Sequence, residues 1–376
     1  MKLLKSFLSI FVVTIVFSVC ALHSFAQDEY FDNQIESIGA NELFDCLDDE
    51  QIKMLKELGI SEIDINTLVN ISPRAIFDLF FEVVTGQYVT PLKTAVTVGI
   101  TVVCLAVALQ FLTNTEKISR MVNVLCVAVI GIIVLMPLSG CLSRVISAIE
   151  LSSKFMVALI PVLAVLLTIA GNPTAALSYN SLCFVAAQFV AFFSSDFISP
   201  MIRVTLSLSI FSGINDELNF EKLVEYIKKI IIFLMSFFST VFITMLTLKG
   251  MLSGAADGVA VRGVRFLIGN LVPFIGGAVS DAYTSIFGTL KLVKNTVAVF
   301  AITAVSVINI PVFIECICWI LSFSFLSMLS DMLSMNKVSL SIRAISSCLV
   351  ILTVLLLFVA IVFVLSIGLV MLINST

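Results

Sequence analysis

Charge is what this 376-residue chain has least of: Asp, Glu, Lys and Arg together make up 12% of it. A soluble domain carries about 25% charged residues, so an ordinary water-soluble globule is excluded. Histidine is nearly absent, and the one copy is His23. That removes imidazole acid–base chemistry and most zinc sites, since imidazole titrates near neutrality and is the commonest metal ligand. No G-x-x-x-x-G-K-[ST] loop is present to cradle nucleotide phosphates, and no G-x-S-x-G turn to expose a serine. The stretches between apolar runs are also too short for an active-site domain. The sequence therefore predicts a protein that is not an enzyme and carries no cofactor or metal.

Cysteine is present in nine copies but not in a disulfide pattern. Cys20 falls in the first apolar run, and Cys46 is the one cysteine of the polar region that follows. Cys104, Cys126, Cys141, Cys183, Cys316, Cys318 and Cys348 lie in or beside apolar runs, where they read as small hydrophobes. Cys316-x-Cys318 lacks the second pair or histidine that a metal site needs.

What the chain has in abundance is apolar sequence, at 60% of residues. Several windows approach the 18–20 apolar residues that cross a hydrocarbon core of about 30 Å. The fold class predicted is all-α: a polytopic α-helical membrane protein with a signal peptide and a small external helical region.

Residues 1–26 read as the signal peptide. Lys2 and Lys5 form the positive start, Phe7 to Leu22 the apolar run, and Ser24-Phe25-Ala26 the small-x-small end before Gln27. An uncleaved first anchor is the alternative; a lipoprotein site at Cys20 is disfavoured by bulky Val19. Residues 27–90 hold 14 acidic against three basic side chains, and residues 91–376 hold 16 basic against 11 acidic. An acidic external segment needs no positive charge for retention, and it argues against nucleic acid or an anionic lipid surface as partner. Within it, Ile52, Leu55 and Leu58 recur at helical spacing and stop at Gly59. A second helix is expected after Ser72, with Pro73 at its first position. Too short for a core of its own, this region is expected to dock on the membrane domain or on a partner.

The membrane domain, residues 91–376, divides into Ala95–Thr113, Met121–Leu142, Phe155–Gly171, Leu177–Ser195, Ile198–Ile214, Ile230–Leu248, Thr296–Ser330 and Cys348–Ile373. Lys117 and Arg120 fit a cytoplasmic loop if Gln27 is outside. Gly171-Asn172-Pro173-Thr174 predicts a tight turn. Ile198–Ile214 spans, lies flat or re-enters. Thr296–Ser330 is expected to be a hairpin turned at Asn309-Ile310-Pro311. Seven to nine crossings follow.

Residues 250–295 form a glycine-rich interrupted segment. Gly250, Gly254 and Gly258 recur every fourth residue, which on a helix makes one close-packing face and otherwise a flexible loop. Phe266–Val279 is too short to cross and is broken by Gly269-Asn270 and Pro273, as a re-entrant or interfacial segment would be. Gly276-Gly277 permits a bend. Backbone that leaves the helix at membrane depth must find partners in protein or in a water-filled passage. Asp281 either caps a helix at the interface or acts as an intramembrane carboxylate, with capping the preferred reading. Glu315 is the more deeply placed acid, and no cation near it in sequence offers a partner.

The run Asp257–Arg262, then Ile268-Gly269-Asn270, Val272–Gly277 and Ser280-Asp281-Ala282, resembles the signature region of the stage III sporulation protein AE family. Gly171-Asn172-Pro173 and the general layout are similar too. The resemblance implies an endospore-forming bacterium and a mother-cell membrane facing the engulfed forespore. It also implies membership of a secretion-like channel complex needed for forespore development. The partners implied are other membrane proteins of that complex, including ring-forming subunits and a secretion-type ATPase, besides the lipid bilayer; no catalytic residue is implied. The alternative function is an independent secondary transporter with broken helices, which should carry a matching interrupted segment in its other half. Ile198–Ile214 is the one candidate, and it shares no glycine pattern with Phe266–Val279.

Overall fold

The computed structural model describes residues 35, 38–64, 67–68, 71–111, 116–211, 220–271 and 276–372. The signal segment 1–26 lies outside the described residues. In order, the helices are α1 Glu42–Asp45, α2 Asp49–Glu57, α3 Pro73–Gln87, α4 Val89–Phe111, α5 Glu116–Ile169 and α6 Pro173–Phe192. A π-helical turn, Phe193–Ile198, leads into α7 Ser199–Phe211, followed by α8 Phe220–Leu271, α9 Gly276–Met332 and α10 Asn336–Leu372.

Local chemistry sets the ends of the small N-terminal helices. Gly59 adopts a φ of 86°, and the N–H of Ile60 returns to the carbonyl of Leu55 at 2.9 Å, closing α2. The Ser72 hydroxyl accepts the N–H of Ala75 at 3.0 Å and Pro73 fills the first turn of α3. Lys53 bridges the two helices by reaching Glu57 on its own helix and Glu82 on α3.

This small unit packs against α9. Phe44 lies 4.9 Å from Phe300, ring to ring. Met54, Leu58, Leu79 and Val83 face Thr303, Val307 and Ile310 around a narrow space of about 130 Å³. The docking expected of the acidic region is thus onto the membrane domain. α3 also runs on into α4: the first apolar helical path begins at Arg74, inside the segment assigned from composition to the external region.

Six helical paths among the described residues are long and apolar enough to cross a membrane, fewer than the seven to nine crossings expected. They are Arg74–Ala108, Val124–Ile169, Pro173–Ser209, Lys222–Lys249, Gly288–Met332 and Asn336–Met371. The difference has three sources. Met121–Leu142 and Phe155–Gly171 are joined in α5, through Pro137 and Pro161. Leu177–Ser195 and the first part of Ile198–Ile214 are joined through the π turn. The hairpin expected at Asn309-Ile310-Pro311 does not form, because α9 runs unbroken through Pro311. Each proline removes one donor, for the carbonyls of Ile133, Val157 and Val307, and neighbouring helices supply the packing that tolerates the loss.

The 46-residue apolar path of α5 measures about 69 Å at 1.5 Å per residue, twice what a perpendicular crossing needs. α9 and α10 are the centre of the bundle: 83% and 72% of their most apolar windows are buried, against 17% for α8. A helix apolar on all sides with so little burial has its surface left for lipid. Two tight turns fold the long helices back on themselves. After α5, Gly171 has a φ of 81° and the N–H of Asn172 returns to the carbonyl of Leu167 at 2.9 Å. Between α9 and α10 the same geometry is taken by Ser334, and Arg343 clamps the turn by holding Asp331 and the Ser327 hydroxyl.

Candidate functional site

The interrupted segment is less interrupted than its glycines suggest. Gly250, Gly254, Gly258 and Gly269 all lie within α8, whose backbone stays helical to Leu271. On that helix the first three share one face. Gly276 and Gly277 open α9, and Pro273 lies outside the described residues, in the four-residue gap between the two helices. Asp281 sits in the second turn of α9, five residues after its start, so it is not that helix's N-cap.

The described polar groups gather elsewhere, along the middle of α5. This helix carries Arg144, Glu150, Ser152 and Ser153 between two apolar halves. Opposite them stand Asn309, Glu315 and Trp319 on α9, and Ser194 and Ser195 in the π turn. Glu315 is almost fully enclosed, with 2% of its side chain exposed, and Arg144 is half exposed at 50%. The guanidinium grips the carboxylate with two bonds: Nε donates to Oε2 at 2.7 Å, and Nη2 donates to Oε1. The indole Nε1 of Trp319 donates to Oε1 at 3.2 Å. The cation that Glu315 lacks in its own stretch therefore comes from 171 positions away. A buried carboxylate is tolerated when a planar fork and a further donor satisfy it.

One turn from this pair on α5, Cys141 places its Sγ 3.9 Å from that of Cys316. Farther along, the Nδ2 of Asn309 donates to the Ser152 hydroxyl at 2.9 Å and to the Val305 carbonyl at 2.7 Å. The Ser195 hydroxyl donates to Glu150 Oε1 at 2.7 Å, tying the π turn to α5. The Asn309 Oδ1 and the hydroxyls of Ser153 and Ser194 are buried without a protein partner. A π turn widens the helix by one residue, which brings Ser195 round to face Glu150 and stacks Phe193 on Phe189 at 5.4 Å.

Chemically this layer is a set of ties. Arg144 and Glu315 neutralise each other, the layer contains no imidazole, and among the described residues no three His, Cys, Asp or Glu side chains gather to hold a metal ion. What it does is hold α5, the π turn and α9 in one register across an otherwise apolar bundle. Arg144, two residues past the Met121–Leu142 apolar run, was the signal available in the sequence, and it lacked only a partner to point to. Lys294 is wholly buried in α9.

Comparison with known proteins agrees in one direction. No solved structure matches the chain. It is 25% identical over 206 residues to the Stage III sporulation protein AE of Bacillus subtilis (strain 168), an alignment covering 54% of this chain and 51% of that protein. The chain thus spans about half the length of that curated relative. The family model described as Stage III sporulation protein AE matches residues 60–374, all but the N-terminal part and the last two residues. The chain belongs to the Stage III sporulation protein AE family.

Proposed function

We propose that this protein is a membrane component of a specialised secretion- or channel-like complex between mother cell and forespore, required for sporulation. The observation that carries the reading is the family match along residues 60–374. The packing supports it: Arg144 with Glu315, Ser195 with Glu150 and Asn309 with Ser152 tie helices together at the middle of the bundle, as in a scaffold, and α8 carries both a largely unburied apolar surface and the glycine face. In this reading the protein sits in the mother-cell membrane facing the forespore and performs no catalysis. Its partners are membrane proteins of the same complex, ring-forming subunits and a secretion-type ATPase among them, and nucleic acid is not one of them. Residues 27–90 face the external space and residues 1–26 are removed.

An independent secondary transporter is the second reading, and the π turn favours it. It distorts a helix within the Pro173–Ser209 path beside Glu150, and distorted helices hold substrate in many transporters. One experiment separates the two. A tagged chain is expressed in a spore-forming host in place of its own copy, and its co-purifying membrane proteins and spore yield are measured. A complex component brings down defined membrane partners, and its deletion stops spore formation. Purification alone with normal sporulation would remove the first reading.

A further inference from the structure

We propose that Cys141 and Cys316 form a disulfide that ties α5 to α9. Their sulfurs lie 3.9 Å apart on facing helices, and both side chains are fully buried. A disulfide requires about 2 Å between sulfurs, so each side chain needs only a small rotation. The backbone register is already held at this level, because Arg144, three residues on from Cys141, grips Glu315, the residue before Cys316. Two buried thiols held by the fold 3.9 Å apart are close enough for a side-chain rotation to bring them to bonding distance.

The chemistry balances as thiol–disulfide exchange. A thiolate of one cysteine attacks a protein or low-molecular-weight disulfide, and the second cysteine then displaces the mixed disulfide. Two S–H bonds break and one S–S bond forms. Two electrons and two protons pass to the oxidant, which leaves as two thiols. Both sulfurs are enclosed in the finished bundle, so the exchange occurs while α5 and α9 are closing on each other, and burial then shields the bond from reductants.

The pair also lies within about two turns of the docked N-terminal helices. Cys316 is five residues past Pro311, about 8 Å along α9, and Pro311 borders the space against which α2 and α3 dock. Those helices belong to the acidic region assigned to the external side, where disulfides persist. This last step rests on the external placement of residues 27–90.

The test uses the full chain from host membranes, denatured in SDS with N-ethylmaleimide and no reductant, then digested for mass spectrometry. The expected result is loss of alkylation at Cys141 and Cys316 and recovery of their two peptides joined, with Cys104 and Cys318 alkylated. Reductant before alkylation should restore both labels, and Cys141→Ser should leave Cys316 alkylated. Alkylation of both thiols without reductant would overturn the proposal, as would recovery of Cys316 joined to another cysteine. Orientation is read separately by labelling cysteines placed in residues 27–90 from outside intact cells, so its failure cannot be mistaken for failure of the bond.

Discussion

Arg144 and Glu315 make one ion pair, yet removing either partner is expected to cost different amounts. Arg144→Met leaves a carboxylate that is 2% exposed with the Trp319 indole as its one remaining donor. An uncompensated buried charge of this kind costs about 3–5 kcal/mol. Glu315→Leu leaves a guanidinium that is half exposed and can turn to water or lipid headgroups. Its main penalty is the buried indole N–H left without an acceptor, about 1–3 kcal/mol. The double variant removes both charges and keeps apolar volume, so it should match Glu315→Leu and not the sum of the singles. A difference of about 2 kcal/mol between the single variants is roughly thirtyfold in the unfolding equilibrium. The molecule supplies its own probe, since Trp319 is the one tryptophan in the chain and sits on the carboxylate. Its fluorescence during unfolding in mixed micelles reads all three variants. Equal losses from the two single variants, or a double variant as costly as their sum, would refute the reasoning.

Asn309→Asp should destabilise the bundle by about 2–4 kcal/mol, because it puts a charge where the Asn309 Oδ1 already lacks a partner; the same unfolding assay measures it, and a neutral result would mean that water reaches α9 there. Burial, with the Asp45 and Glu42 carboxylates adding to it, pushes the Cys46 thiol up from its ordinary value. Cys46 should therefore alkylate more slowly than a free thiol at pH 8 and gain rate only as pH climbs past the usual thiol range, as a pH series with mass-spectrometric readout would record. Gly254→Leu should weaken packing on the glycine face of α8 by about 1–3 kcal/mol and reduce recovery of membrane partners and spores. Wild-type recovery of both would show that this face touches nothing.

The sequence by itself determined the solvent, the helical class and the punctuation. Sixty per cent apolar residues exclude a soluble globule, and Gly59, Ser72-Pro73 and Gly171-Asn172-Pro173 end or start helices where local backbone chemistry demands it. Such signals act within one turn of the chain, so they are readable from neighbours alone. The tertiary structure decided which interruptions matter. Pro137, Pro161 and Pro311 look like breaks, yet α5 and α9 pass through them because packed neighbours compensate for one lost bond. Gly250, Gly254, Gly258 and Gly269 look like a broken stretch, but the backbone there is helix. Arg144 and Glu315 look unpaired along the chain because the field of one charge on another depends on distance in space. Only antiparallel packing of α5 on α9 brings residues 171 positions apart within 2.7 Å.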